Sequence, residues 1–187
     1  LLIGGHSRRM GQPKCLLPKG TTTLGAHLWE LMARVLEVPP VLVGSGPLDP
    51  VMAASPRIDD AKNLRGPLAG ILGLHQHSPK KPFLVFAVDL YFMDIAALRW
   101  LLKQASTRPG KAIWPKLPHR PFGEPLAAYY PPQAFEQMAK AAKLGETALH
   151  RALPITNRLE PEVPAALQKC FTNVNRPEDL PLPSPDP

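Results

Sequence analysis

The chain has 187 residues, 44% apolar and 20% charged, which is the balance of a globular domain rather than of a disordered segment. One domain with a core of its own is expected at this length, and no apolar run reaches the roughly 18–20 residues that a membrane-spanning helix needs. Its two cysteines, Cys15 and Cys170, cannot build a disulfide scaffold and lack metal-ligand spacing, so a reducing, cytoplasmic setting is the simpler expectation.

The net charge is +7 without any long basic run, and it reads either as a solvated surface or as attraction to polyanions. Nucleic acid is the weaker match, because no known binding motif and no interleaved aromatics accompany the charge. The 25 prolines exceed twice the usual share of about 5%. They punctuate periodic apolar segments and gather at the end, at Pro181, Pro183, Pro185 and Pro187. The expected organisation is a folded domain over 1–180 and a flexible proline-rich tail over 181–187.

In chain order, Leu1–Ile3 reads as the end of a strand whose beginning is absent, too short for a signal peptide. A loop runs through Pro18. Thr22 or Thr23 can cap a helix whose Leu24, Leu28, Leu31, Met32 and Val35 share a stripe, and Pro39-Pro40 stops it. Pro40–Gly44 is a short buried strand and Asp49–Ser55 a short helix. Gly66-Pro67 opens a helix with Leu68, Ile71, Leu72 and His75 on one face.

Phe83–Val88 is continuously apolar, which predicts a strand covered on both faces, as at the centre of a parallel sheet. Asp94 can cap a helix that turns Ile95, Leu98, Leu101 and Leu102 inward. Lys111–Trp114 and Pro125–Tyr130 are strand candidates. Gln133–Leu144 is an amphipathic helix stopped by Gly145, Thr147–Leu153 a short helix, Phe171–Val174 a late strand, and Pro177 starts a last helical turn. Strands alternating with helices predict an α/β layered fold, with ligands at the carboxyl ends of the strands.

Chemistry is therefore sought just after each strand. Gly4-Gly5-His6-Ser7-Arg8-Arg9-Met10-Gly11-Gln12-Pro13-Lys14 follows the first. Its glycines let backbone N–H groups approach an anion, and Arg8, Arg9 and Lys14 add positive charge, which suits a polyphosphate. It is neither a Walker A loop nor G-x-G-x-x-G. Asp89 follows Phe83–Val88, where a carboxylate can hold Mg²⁺ beside phosphates; the plainer role, capping the next helix, falls better to Asp94. Asn173 and Asn175 would point the same way on a strand, toward a ligand, or would serve a turn. Gly66 allows close ligand approach and Gly70 close helix packing. Glu124 is a site carboxylate or an exposed one. The histidines show no metal spacing, and neither a Gly-x-Ser-x-Gly elbow nor a Cys–His pair offers a covalent nucleophile.

Ile3–Lys14, Arg65-Gly66-Pro67-Leu68-Ala69-Gly70-Ile71, Val88-Asp89, Glu124–Tyr129 and Phe171–Leu180, in that order, resemble the molybdenum cofactor guanylyltransferases over nearly the whole chain. The resemblance implies a single Rossmann-like nucleotidyltransferase domain, a mostly parallel sheet with helices on both faces, joining GMP from GTP to molybdopterin with Mg²⁺. It implies Gly4, Gly5, Arg9 and Lys14 around the nucleotide phosphates, Gly66 near the nucleotide, Asp89 on the metal, and Asn173 and Asn175 on the pterin or metal side. Lys14, Arg9 and Asp89 would carry the catalysis. Partner enzymes that deliver molybdopterin or accept the product are possible.

The family usually has a proline two residues after the aspartate, where this chain has Asp89-Leu90-Tyr91. Ser7–Lys14 with Leu16-Leu17-Pro18 also resembles the molybdopterin cytidylyltransferases, whereas Gly4-Gly5, Gly66–Gly70 and Asn173–Asn175 side with guanine. A catalytically weak nucleotide-binding protein is the alternative that Tyr91 raises.

Overall fold

The computed structural model describes residues 1–4 and 10–181. Its strands are β1 (Pro18–Lys19), β2 (Thr22–Thr23), β3 (Leu42–Val43), β4 (Arg57–Ile58), β5 (Phe83–Phe86), β6 (Ala112–Ile113), β7 (Ala127–Tyr130) and β8 (Arg158–Leu159). Its helices are α1 (Leu24–Leu36), α2 (Pro67–His77), α3 (Ile95–Thr107), α4 (Pro132–Lys143) and α5 (Leu149–Ala152). No described helix is long and apolar enough to cross a membrane.

The first three residues lie at the middle of the main sheet. Leu2 bridges Val43 on one side and Ala87 on the other, both in parallel. The Ile3 N–H donates to the Val43 carbonyl at 3.0 Å and the Leu2 N–H to that of Phe86 at 2.7 Å. Across the sheet the order is β4, β3, the Leu2 segment, β5, β7, β6, β8. β7 runs antiparallel to both of its neighbours and the other pairings are parallel. The expected mostly parallel sheet is present, with one reversed strand beside β5. A separate small hairpin, β1–β2, packs before α1.

Strand side chains alternate between the two faces. Leu1, Ile3, Leu42, Phe86, Ile113 and Ala127 join one apolar cluster with α1 and α3. Leu2, Val43, Val85, Ala112 and Ala128 join a second with α2, α4 and α5. Two covered faces explain why the β5 segment is apolar without interruption.

The helix signals act as their chemistry suggests. The Thr23 hydroxyl accepts from the Ala26 N–H, and Glu37 ends α1 in a left-handed conformation just before Pro39. Asp94 caps α3 through the Ala97 N–H at 2.7 Å. Leu98 and Leu101 are buried, while Leu102 stays half-buried. His75 stacks flat on Phe135 of α4, with centroids 5.7 Å apart.

Three expectations are corrected. Asp49–Ser55 forms only a 3-10 turn, Pro50–Met52, capped by Asp49. Within Thr147–Leu153 the helix is the single turn of α5. Phe171–Val174 is not a strand: Ala165–Phe171 is a 3-10 helix, and the chain then runs extended as a strap. Phe171 and Val174, three residues apart, are both buried, a spacing that a strand cannot bury on one face. The Val174 N–H donates to the Asp89 carbonyl at 2.8 Å, so the strap docks on the end of β5 instead of joining a sheet edge.

At the far edge, β8 carries the buried Arg158. It pairs with Glu160 at 2.8 Å, donates to the carbonyls of His150 and Leu153, and lies 4.3 Å over the Trp114 ring. A buried guanidinium persists because these partners satisfy it.

The chain leaves the Leu2 segment through α1 on one face and returns through α2 on the other to β5. The connections thus diverge at the carboxyl end of the Leu2 segment, the place where such sheets bind ligands. Gly66 begins α2 at φ 71° and ψ −165°, a region open essentially to glycine alone. Gly66→Ala should therefore cost about 1–3 kcal/mol of stability, read as a lowered midpoint in urea unfolding. An unchanged midpoint would mean that the start of α2 relaxes without strain.

Candidate active site

A cleft of about 780 Å³ opens at the carboxyl ends of the Leu2 segment, β3 and β5. Its size suits a small-molecule ligand. Ile3, Gly4, Val88 and Asp89 line it centrally; Lys14, Asp60, Gly66 and Gly70 line it from the surrounding loops and α2.

The ladder positions Asp89. Val88 donates its N–H to the Leu2 carbonyl at 3.0 Å, which carries the next residue to the rim of the sheet. Lys14 opens a 3-10 turn, Lys14–Leu16, whose Cys15 is buried against α1. A Cβ at Gly25 would come within 2.2 Å of the Cys15 Sγ, so only glycine there lets the turn pack this closely. The Lys14 Nζ then donates to Asp89 Oδ2 at 3.0 Å and to Asn175 Oδ1 at 2.8 Å. Both members of the ion pair are largely withdrawn from solvent, with side chains 16% and 17% exposed.

Glu124, offered by the sequence as either a site carboxylate or an exposed one, is half-buried beside this pair. Burial, and after it the charge of Asp89, raises its pKa; the Leu126 N–H, bonded to its Oε1 at 3.1 Å, and the Asn173 amide pull the other way. Asn173 and Asn175, which the sequence offers as ligand-facing residues of a strand or as turn residues, lie on the strap: Asn175 accepts from Lys14, and Asn173 faces Glu124. Two buried oxygens, Asp89 Oδ1 and Asn173 Oδ1, have no hydrogen-bond partner among the described residues.

Gly4 and Gly66 line the cleft, whereas Gly5 and Arg9, with His6 and Arg8, lie outside the described residues. Gly4 has ordinary room for a Cβ, 3.7 Å from Gly44. The steric demand falls on Gly44, which the sequence reading passed over. It has φ 93°, and its Cβ would meet Gly4 at 3.2 Å. The available signal was its place, immediately after the strand core Leu42–Val43. Gly70 packs as expected, its Cβ position 3.1 Å from Leu2 and 3.3 Å from Val43.

Asp60 was also missed. It lines the cleft, and partial burial with neighbouring Asp59 raises its pKa. Cys15 and Cys170 are free thiols pushed up to about 11, chiefly by burial, and so are poor nucleophiles. No cluster of three or more His, Cys, Asp or Glu suited to a metal occurs among the described residues. Asp89 and Asp60 are the carboxylates that line the cleft, and Glu124 stands beside Asp89.

Known proteins share this architecture. A Synechocystis sp. protein named molybdenum cofactor biosynthesis bifunctional protein is 28% identical over 184 residues, 96% of this chain and 51% of that protein, so the chain spans about half its length. The molybdenum cofactor guanylyltransferase of Pseudomonas syringae pv. syringae is 30% identical over 171 residues, covering 90% of this chain and 81% of that one. The crystal structure of molybdopterin-guanine dinucleotide biosynthesis protein A from Archaeoglobus fulgidus superposes with a TM-score of 0.73 at 25% identity, over 95% of this chain and 92% of that one. Residues 1–160 match the MobA-like NTP transferase domain, and the chain belongs to that family.

Proposed function

We propose that this protein transfers GMP from GTP to the phosphate of molybdopterin and releases pyrophosphate. The observation that carries the reading is Lys14, held between Asp89 and Asn175 in a cleft at the carboxyl ends of the strands. The names of the relatives supply the substrate class. In this reading the acceptor phosphate attacks the α-phosphorus of GTP in line. The nucleophile is already ionised, so no strong base is needed, and the work of the protein is positioning and charge neutralisation.

Lys14, and Arg9 from the first loop, offset charge on the nucleotide phosphates. Gly4 and Gly66 bring backbone close to the nucleotide, the role the resemblance also implies for Gly5, and Asn173 and Asn175 serve the acceptor side. Asp60 lines the cleft, and its carboxylate suits guanine, whose N1–H and N2 amino group present adjacent donors that cytosine lacks. The free thiols and the intracellular supply of GTP support a cytoplasmic site of action. Enzymes that deliver molybdopterin or take up the product are the expected partners.

A divalent cation fits the donor set. Asp89 Oδ1 is a buried oxygen without a hydrogen-bond partner among the described residues, and Mg²⁺ needs only one or two carboxylates when phosphates and waters complete its shell. Asp89 would hold it, with Glu124 nearby. When bound, Mg²⁺ supplies charge neutralisation across the phosphate oxygens.

Two outcomes test the reading. With molybdopterin, Mg²⁺, GTP and CTP in one vessel, product mass should show guanylyl transfer favoured roughly 10–100-fold, the effect of an unpaired buried polar group costing about 1–3 kcal/mol. Cytidylyl product in excess would identify a cytidylyltransferase, and no product at all a nucleotide-binding protein. Lys14→Ala should lower pyrophosphate release on the order of 10²-fold, as for loss of one preorganised donor. Turnover within a few fold of the parent would remove Lys14 from the catalytic set.

A further inference from the structure

Lys19 and Lys169 meet one loop from distant parts of the chain, Lys19 from the β1–β2 hairpin and Lys169 from the 3-10 helix that leads into the strap. The Lys19 Nζ lies 3.9 Å from the centroid of the Tyr91 ring and 5.8 Å from that of Phe92. The Lys169 Nζ lies 4.2 Å from the Phe92 centroid. The two rings stand edge to face at 5.2 Å, and Tyr91 is buried. Tyr91 is also the residue that stands where the resembled family has proline, and carrying Lys19 gives that departure a structural role.

Neither ammonium has a carboxylate partner among the described residues. Partial burial, and after it the charge of Lys169, lowers the pKa of Lys19. His27 on α1 faces the same charge: burial and then Lys19 lower its pKa, while the Met93 backbone and Glu30 pull the other way. Asp94, close to Cys170, is engaged as the cap of α3. The aromatic faces stabilise each cation, but Lys19 still feels the like charge of Lys169 on the neighbouring ring. An anion that bridges both would relieve that repulsion. Two ammoniums present donors only, in the manner of a phosphate site.

The loop starts at Asp89, and the chain carrying Lys169 runs on to Asn173 and Asn175 through the Val174 anchor on the Asp89 carbonyl. The pair thus adjoins the side of the site assigned to the acceptor. We propose that Lys19 and Lys169, held over Tyr91 and Phe92, form an anion subsite for the phosphate group of the acceptor, an assignment of source that rests on the function proposed above.

The direct test is a titration of the whole protein with inorganic phosphate, followed by the Cε–Hε NMR signals of Lys19 and Lys169, each assigned by its loss in Lys19→Gln or Lys169→Gln. Saturable shifts with phosphate, absent with chloride at equal ionic strength, are expected; equal shifts with chloride would overturn the subsite. In turnover, the double variant should raise the KM for molybdopterin tenfold or more and change that for GTP less than twofold. The double arginine variant should keep the parental value, which separates charge from misfolding. An unchanged molybdopterin KM would overturn the acceptor assignment, and weakened inhibition by pyrophosphate in that case would assign the subsite to the leaving group. Absence of all guanylyl transfer would sink the proposed function, while the phosphate titration would still decide the subsite.

Discussion

Asp89 is the joint on which the site depends. Its carboxylate holds Lys14 from the first loop, and its carbonyl holds Val174 from the last strap. Residues 75 and 85 positions apart in the chain are thereby fixed at the end of one strand. The ion pair is only partly solvated, so its attraction exceeds that of a surface pair, and desolvation offsets part of the gain. Its value lies in placement more than in stability. A cation and an anion stand together at the cleft, and Asn175 gives the same ammonium a second, neutral partner.

This joint forms because the sheet is covered on both faces. Alternating apolar side chains from the Leu2 segment, β3 and β5 feed two separate cores, and α1 and α2 lie on opposite sides. Their divergence leaves a cleft that neither helix fills. Gly44 and Gly70 then let the β3 end and α2 approach the Leu2 segment more closely than side chains would permit. The same architecture puts Asp60 and Asp89 in one cleft.

Long elements were legible because burial repeats along them. Helical spacing marked α1 and α3, the apolar run marked β5, and Thr23, Gly66 and Asp94 marked helix starts. Asp89 was legible because it follows the clearest strand. Two-residue strands such as β4 and β8 carry no periodicity, and Arg158 beside Glu160 reads as exposed charge until Trp114 and the Leu153 carbonyl surround it. The strap was misread because Phe171 and Val174 are apolar residues near each other in sequence, and only the docking on Asp89 shows which way they turn. Gly25 and Tyr91 act through contacts with Cys15 and Lys19, which no local pattern contains.

Asp89 is proposed to hold a catalytic cation in the cleft. Mn²⁺ binding in the presence of GTP, counted by electron paramagnetic resonance on the parent and on Asp89→Asn, tests that assignment without requiring turnover. The variant should lose protein-bound Mn²⁺ while its urea unfolding midpoint stays close to that of the parent, since the backbone anchor for Val174 is retained. Undiminished Mn²⁺ binding by a folded Asp89→Asn protein would contradict the assignment.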